Sequence, residues 1–308
     1  MSVDRSIAEA APLTPQDPTK VAFKPAFPGP LSAGHAGHLM LTWTEFSAWC
    51  EYHGQLCRRR PTGASNVLYL MLTGSVQQNE TVPRHRESWA RDRNLVVFSD
   101  AEDSELGVIT TPEIEGKPER AAADHRQIKG LQWLARSGKL GGVDWVVFID
   151  DDTWVNPAAV DDTLSCINPD VRVAIGRVWG HVWSQTCHFS GGAGMILSVT
   201  LAKELAVAAY GKRCPDKLGR RGAGAGFFWN DLFISECVHA LGGMVVHHAG
   251  MHAGAAYGWG HDKIESLAVH SALTFHKVPT AEYRVLTAIA ASRASGLVQR
   301  NGTGRAVA

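Results

Sequence analysis

Apolar residues in this chain gather in short unbroken runs, separated by longer stretches with helical spacing. The runs at 67–72, 95–98 and 145–149 are rich in β-branched, aromatic and leucine side chains, and each ends in polar or glycine-rich residues. Runs of that length and composition predict strands buried on both faces. Similar patterns at 171–175, 195–197, 244–246 and 267–275 predict further strands. Between them, Ile128, Leu131 and Leu134 fall near one face of a helix over 120–137 that Gly138 ends. Asn156-Pro157 supplies an N-cap and a first-turn proline for another helix. A helix over 200–210 is expected to close at Gly211, and one over 231–241, apolar at Leu232, Ile234, Cys237, Val238 and Leu241, stops at Gly242-Gly243. A polar helix over 83–91 is expected to turn Trp89 inward, and 39–56 reads as a short helix packed on the main domain. Short buried strands alternating with helices predict an α/β fold with a parallel sheet covered by helices on both sides.

The organisation follows from where these patterns stop. Residues 1–37 hold Pro12, Pro15, Pro18, Pro25, Pro28 and Pro30 without periodicity and are expected to be a disordered leader. Residues 38–65 form a short helical extension, 66–285 a single folded domain, and 286–308 an Ala-rich flexible tail. Basic and acidic residues balance at 30 each, so nothing in the charge favours a nucleic-acid partner. The six cysteines include no C-x-x-C pair, which argues against a structural zinc site and leaves disulfides and free thiols both open. No run is long enough to span a membrane, and no basic stretch leads into an apolar core near the N-terminus. Membrane association is therefore expected only through an anchor outside this sequence.

The chemistry concentrates at the end of the run at 145–149, where Asp150, Asp151 and Asp152 follow one another. Ligands of open α/β sheets bind at the carboxyl ends of the strands. Three carboxylates there repel one another and call for a cation, and a hard divalent ion with oxygen ligands meets that need. Ser190-Gly191-Gly192-Ala193-Gly194 lets backbone approach a ligand closely, or serves a turn for its own sake. Trp179, Trp183 and Trp229 are candidates for stacking on sugar rings, with core packing as the competing role.

Several segments, in order, resemble the Fringe-like family of inverting, metal-dependent β-1,3-glycosyltransferases, which includes Fringe and the core 1 galactosyltransferase. These are Thr73 with Glu87-Ser88-Trp89, then Phe98-Ser99-Asp100-Ala101-Glu102-Asp103. The aspartate triplet with Thr153-Trp154-Val155-Asn156 comes next, followed by His188 to Gly194 and Trp229-Asn230-Asp231. The resemblance implies a GT-A (Rossmann-like) fold, with a mixed, mostly parallel sheet flanked by helices. It also implies a UDP-sugar donor, Mn²⁺, a glycan or glycoprotein acceptor, and a place in the Golgi or secretory pathway. Under it, Asp152 ligates the metal, while Asp150 and Asp151 hold the nucleotide. A histidine completes the metal site: His276, in a segment similar to that of the core 1 enzymes, is preferred to His252. Asp231 becomes the catalytic base, although as the opener of an apolar helix it equally suits an N-cap. Thr73, Asp100, Gly191 and Gly192 fall on the donor side. Lys129 sits where relatives keep a basic residue near the phosphates, and a solvated charge is the equal alternative. Asn230 departs from the family, where an acid is usual. The competing functions are a non-catalytic sugar- or nucleotide-binding relative and a metal-dependent phosphohydrolase, the latter lacking a second cluster of His and Asp.

Overall fold

The computed structural model describes residues 40–44, 46–47, 66–116, 120–180, 187–214, 230–256 and 266–302, and the structural statements below concern these. The leader, Cys50, Cys57, Trp183 and Trp229 lie outside them. Thirteen strands are present: β1 (Met40–Thr42), β2 (Val67–Leu72), β3 (Asn94–Phe98), β4 (Val108–Ile109), β5 (Trp145–Asp150), β6 (Trp154–Val155), β7 (Val173–Gly176), β8 (Val178–Gly180), β9 (Cys187–Phe189), β10 (Met195–Ser198), β11 (Met244–His247), β12 (Met251–His252) and β13 (Thr274–Phe275). The helices are α1 (Gln78–Arg86), α2 (Arg120–Arg136), α3 (Pro157–Leu164), α4 (Val199–Ala208), α5 (Asn230–Ala240), α6 (Ser266–Ser271) and α7 (Thr280–Gly302).

Eight strands form the main sheet in the order β1-β11-β7-β10-β5-β2-β3-β4. Only β10 runs antiparallel to its neighbours, β5 and β7. The sheet is thus mixed and mostly parallel, where alternation of strands and helices alone predicted a parallel one. Side chains alternate across it as a pleated strand requires. Along β5, Trp145, Val147 and Ile149 enter one core with Tyr69, Met71 and, from α7, Tyr283. Val146 and Phe148 enter the other with Leu68, Leu70, and Ile128 and Leu131 of α2. Helices on both faces keep β5 dry, so its last residues must emerge at the sheet edge.

Some elements differ from the pattern-based reading. Met40–Thr42, expected as helix, adds an edge strand parallel to β11; three residues carry too little periodicity to announce a pairing made by the sheet. The polar helix begins at Gln78, carries Pro83 inside it and ends before Trp89, which is nonetheless buried. After α4 the left-handed turn falls on Tyr210 (φ 64°) rather than on Gly211. Its ring stacks on Phe233 with centroids 5.0 Å apart, so packing replaces glycine's steric freedom. Residues 267–271, expected as strand, are helical in α6, and only Thr274–Phe275 pair as a strand; short apolar runs do not distinguish the two. Asn156 caps α3 as expected, accepting from the Ala159 N–H at 3.3 Å. Among the described residues no helix is long and apolar enough to cross a membrane.

Candidate active site

β5 delivers Asp150 at its last ladder position, opposite Leu72 of β2. The turn that follows is pinned through its carbonyls. Asp150 O accepts from the Thr153 N–H at 3.1 Å and Asp152 O from the Val278 N–H at 3.0 Å. Asp151 O accepts from the Arg84 guanidinium and from His85 Nε2, the latter at 2.9 Å. The His85 tautomer follows from its other nitrogen: Trp89 Nε1–H donates to Nδ1 at 3.0 Å, so Nε2 carries the proton. Burial depresses His85 to about 4, against the opposing pull of the Asp151 carbonyl, so it stays neutral. Arg84 is held in turn by Thr280 at 2.7 Å and by the Tyr283 ring, 4.6 Å from its centroid.

With the backbone occupied, the three carboxylates point to different partners. Asp151 Oδ2 accepts from the Thr73 hydroxyl at 2.7 Å. Asp150 Oδ1 lies 3.5 Å from Gln127 Nε2, and Gln127 accepts from Asn230. Asp152 Oδ1 lies 3.2 Å from His276 Nε2, and its side chain is 42% exposed. Asp150, Asp152 and His276 offer one ligand atom each within 4.8 Å of one another. His276 Nδ1 lies 3.2 Å from the Ala253 carbonyl, which only an N–H can satisfy. In the neutral ring Nε2 is then a lone pair facing a carboxylate oxygen, and a proton or a metal ion must stand between them.

The electrostatics agree with that requirement. Burial, then the neighbouring Asp152, push Asp150 up to about 7, partly relieved by His276. Burial also raises Asp151, against the Thr73 hydrogen bond. Asp152 goes the other way: burial works to raise it, but the bond and charge of His276 outweigh burial and lower it. Two clustered carboxylates and an imidazole nitrogen match the oxygen and nitrogen donors of a divalent transition metal. The residues present therefore fit a metal of the kind the resemblance implies. Of the two candidate histidines, the fold brings His276 to the aspartates. The His252 ring instead stacks on Phe275, with centroids 4.7 Å apart.

Asp231 reaches the same site from the first turn of α5. Its carboxylate accepts from the Gly191 N–H at 3.2 Å and from the Leu232 N–H at 2.9 Å. Burial nevertheless raises its pKa, and its charge adds to that felt by Asp150. The carboxylate thus lies close enough to act on Asp150 while bonding amides of the α5 start and the glycine turn. Gly191–Ala193 forms a 3-10 turn whose Gly192 carbonyl accepts from Thr153 at 2.8 Å. A Cβ on Gly192 would lie inside the His276 ring, and one on Gly191 would press on Asp231 at 3.3 Å. These glycines make room for the candidate ligand and base.

Asp100, at the end of β3, accepts from Ser75 N–H at 2.9 Å and Ser75 Oγ at 2.6 Å, and pairs with Arg126 at 3.3 Å. Arg126 also donates to the Thr73 carbonyl at 2.8 Å. Lys129, one turn further along α2, stands over the Tyr210 ring, 5.0 Å from its centroid. Arg126, Gln127, Arg84 and His85 are the site residues that the pattern of apolar and charged positions did not single out. The one local hint for the α2 pair is Gly130, where a Cβ would strike Phe98 at 2.8 Å and hold the helix off the strand ends.

A profile of the Fringe-like family matches residues 73–288. The chain belongs to the Fringe-like family. Membership makes it a glycosyltransferase, acting between a nucleotide-sugar donor and a glycan acceptor, and the acidic cluster fits a D-x-D type of metal site. Among solved structures, a glycosyltransferase involved in the glycosylation of the major capsid of PBCV-1 is similar at 14% identity. That match covers 72% of this chain and 99% of the other, with a TM-score of 0.37.

Proposed function

We propose that this Fringe-like protein is an inverting, metal-dependent β-1,3-glycosyltransferase. It moves a hexose, galactose or N-acetylglucosamine, from a UDP-sugar to the 3-hydroxyl of an acceptor glycan. The observation that carries this reading is the convergence of Asp150, Asp152 and His276 within 4.8 Å, with Asp231 beside them. Asp152 and His276, with Asp150, are the residues that would hold Mn²⁺. When bound, such an ion supplies Lewis-acid stabilisation of the charge that develops on the leaving diphosphate. Asp151 is committed to Thr73 and anchors the turn between the other two carboxylates.

Asp231 takes the proton of the acceptor hydroxyl as its oxygen forms a bond to the anomeric carbon. The bond from that carbon to the diphosphate oxygen breaks on the opposite face, and UDP leaves with the electron pair, which inverts the centre. Burial that raises Asp231 brings its basicity toward the working pH, while the Gly191 N–H orients it. A secretory-pathway location belongs to the same proposal.

The test is release of UDP from a panel of UDP-sugars with Mn²⁺, with and without acceptor glycosides, followed by NMR of the product anomer. Mn²⁺-dependent UDP release and a β-linked product are expected. Turnover unaffected by a chelator, or an α-linked product from an α-linked donor, overturns the mechanism.

A further inference from the structure

On the side of the site that carries Asp231, β8 and β9 form a two-stranded ribbon with Val178 opposite Phe189, Trp179 opposite His188 and Gly180 opposite Cys187. Directly opposed residues of an antiparallel pair share a face, and faces alternate along each strand. Val178 and Phe189 are buried in the core on one face. The other face carries Trp179 and His188. In the same register it continues to Arg177 and Ser190, whose backbones meet through Ser190 N–H to Arg177 O at 2.7 Å. Trp179 is 40% exposed, and among the described residues the other large apolar side chains left so open are Val76, Val207 and Val285, none aromatic. The Arg177 guanidinium lies over its ring, 5.2 Å from the centroid.

The ribbon leads straight to the base. The residue after Ser190 is Gly191, whose N–H holds the Asp231 carboxylate. His188 is near enough for its charge to act on that carboxylate. From Ser190 to the Trp179–His188 pair is two residues, ~7 Å along the strand, a span that one sugar residue fills.

The geometry points to the exposed face of this ribbon as the acceptor subsite, with the Trp179 indole stacking on the apolar face of an acceptor pyranose ring. Indole presents a flat apolar body, and the C–H face of a pyranose is its natural complement. Arg177 braces the ring and offers guanidinium donors to sugar hydroxyls. The occupant is a glycan that brings a free hydroxyl to the half-buried Asp231 carboxylate at the end of the ribbon, which needs a hydroxyl to act on. The inference rests on the transferase reading and names the surface through which that reading's second substrate enters.

Two measurements separate the platform from the reaction. Saturation-transfer NMR with methyl glycosides of galactose, glucose, N-acetylgalactosamine and fucose needs no turnover. Wild type is expected to show contact with at least one of them. Trp179→Ala is expected to lose that contact, and Trp179→Phe to keep most of it, with unchanged melting temperatures. In the transfer assay, Trp179→Ala is expected to raise the acceptor KM about tenfold and leave the donor KM within twofold. Equal contact in Trp179→Ala, no contact with any glycoside in wild type, or a donor KM that rises with the acceptor KM overturns the platform. If wild type releases no UDP from any donor while glycoside contact still depends on Trp179, the platform stands and the transferase reading falls.

Discussion

The two walls of the site are built on opposite principles. The aspartate turn after β5 has every backbone carbonyl bonded, its side chains fixed by Thr73, Gln127 and His276, and a dry core behind it. The β8–β9 ribbon buries Val178 and Phe189 on one face and turns a 40% exposed indole, with the Arg177 guanidinium over it, outward on the other. A wall that must hold repelling carboxylates at ligand spacing has to be over-determined, because nothing in the carboxylates themselves keeps them together. A wall that meets a sugar ring needs only a flat apolar surface with a donor beside it. Substitutions in the first wall should therefore cost binding, catalysis and stability, and substitutions in the second only acceptor recognition.

The largest effect is expected from Asp152→Asn. Removing the carboxylate that faces His276 should weaken Mn²⁺-dependent UDP binding about a hundredfold or more, and calorimetry with UDP and Mn²⁺ reads it directly. Full-strength binding by this variant would mean that the first wall holds no metal. Asp231→Asn should leave that binding intact and slow transfer by ~10²–10⁴-fold; normal turnover would remove Asp231 from the role of base. Gly192→Ala puts a methyl where the His276 ring lies, so overpacking of ~1–3 kcal/mol is expected, with Mn²⁺ affinity falling alongside thermal stability. An unchanged melting curve and affinity would show that the turn is softer than its bonds suggest.

His85→Ala tests the clamp from behind. It leaves the buried Trp89 N–H without its partner, at ~1–3 kcal/mol for a buried group left unmade, and leaves the Asp151 carbonyl held by Arg84 alone. A drop in melting temperature is expected, with Mn²⁺ affinity reduced less than in Asp152→Asn. The smallest effect is a pH dependence. Asp150 has its folded pKa raised from the ordinary carboxylate value to about 7, so the folded state binds that proton more tightly than the unfolded chain. Its contribution to stability is full below about 4 and is lost as pH rises toward about 7. Metal-free protein should thus melt lower at pH 8 than at pH 5 through this group, and Mn²⁺ should restore stability at pH 8. The opposite trend in an Asp150→Asn difference measurement would contradict the crowded first wall.

Much of this was legible in the chain. Apolar runs ending in Asp150 to Asp152, the cap at Asn156-Pro157 and the glycine turn at 191–194 are local signals, each read from composition and spacing within a few residues. The strand at Met40–Thr42, the helix at Ser266–Ser271 and the left-handed Tyr210 were not, because partners distant in sequence decide them. The same division runs through the site. Lys129 and Arg126 are equally basic and lie one helical turn apart. Only the docking of α2 on the strand ends puts Arg126 against Asp100 and Thr73, and Lys129 over Tyr210.

By itself the sequence determined that a buried strand ends in three carboxylates, that the chain is α/β, and which residue types were on hand to answer the charge. Tertiary structure alone decided which of them do. It set the ring of His276, rather than that of His252, against Asp152, carried Asp231 in from a helix eighty residues away along the chain, and turned Trp179 outward beside it. Repulsion between neighbouring carboxylates is a property of covalent order and can be read along the chain, whereas the groups that relieve it act through space, over a few ångströms that only packing creates.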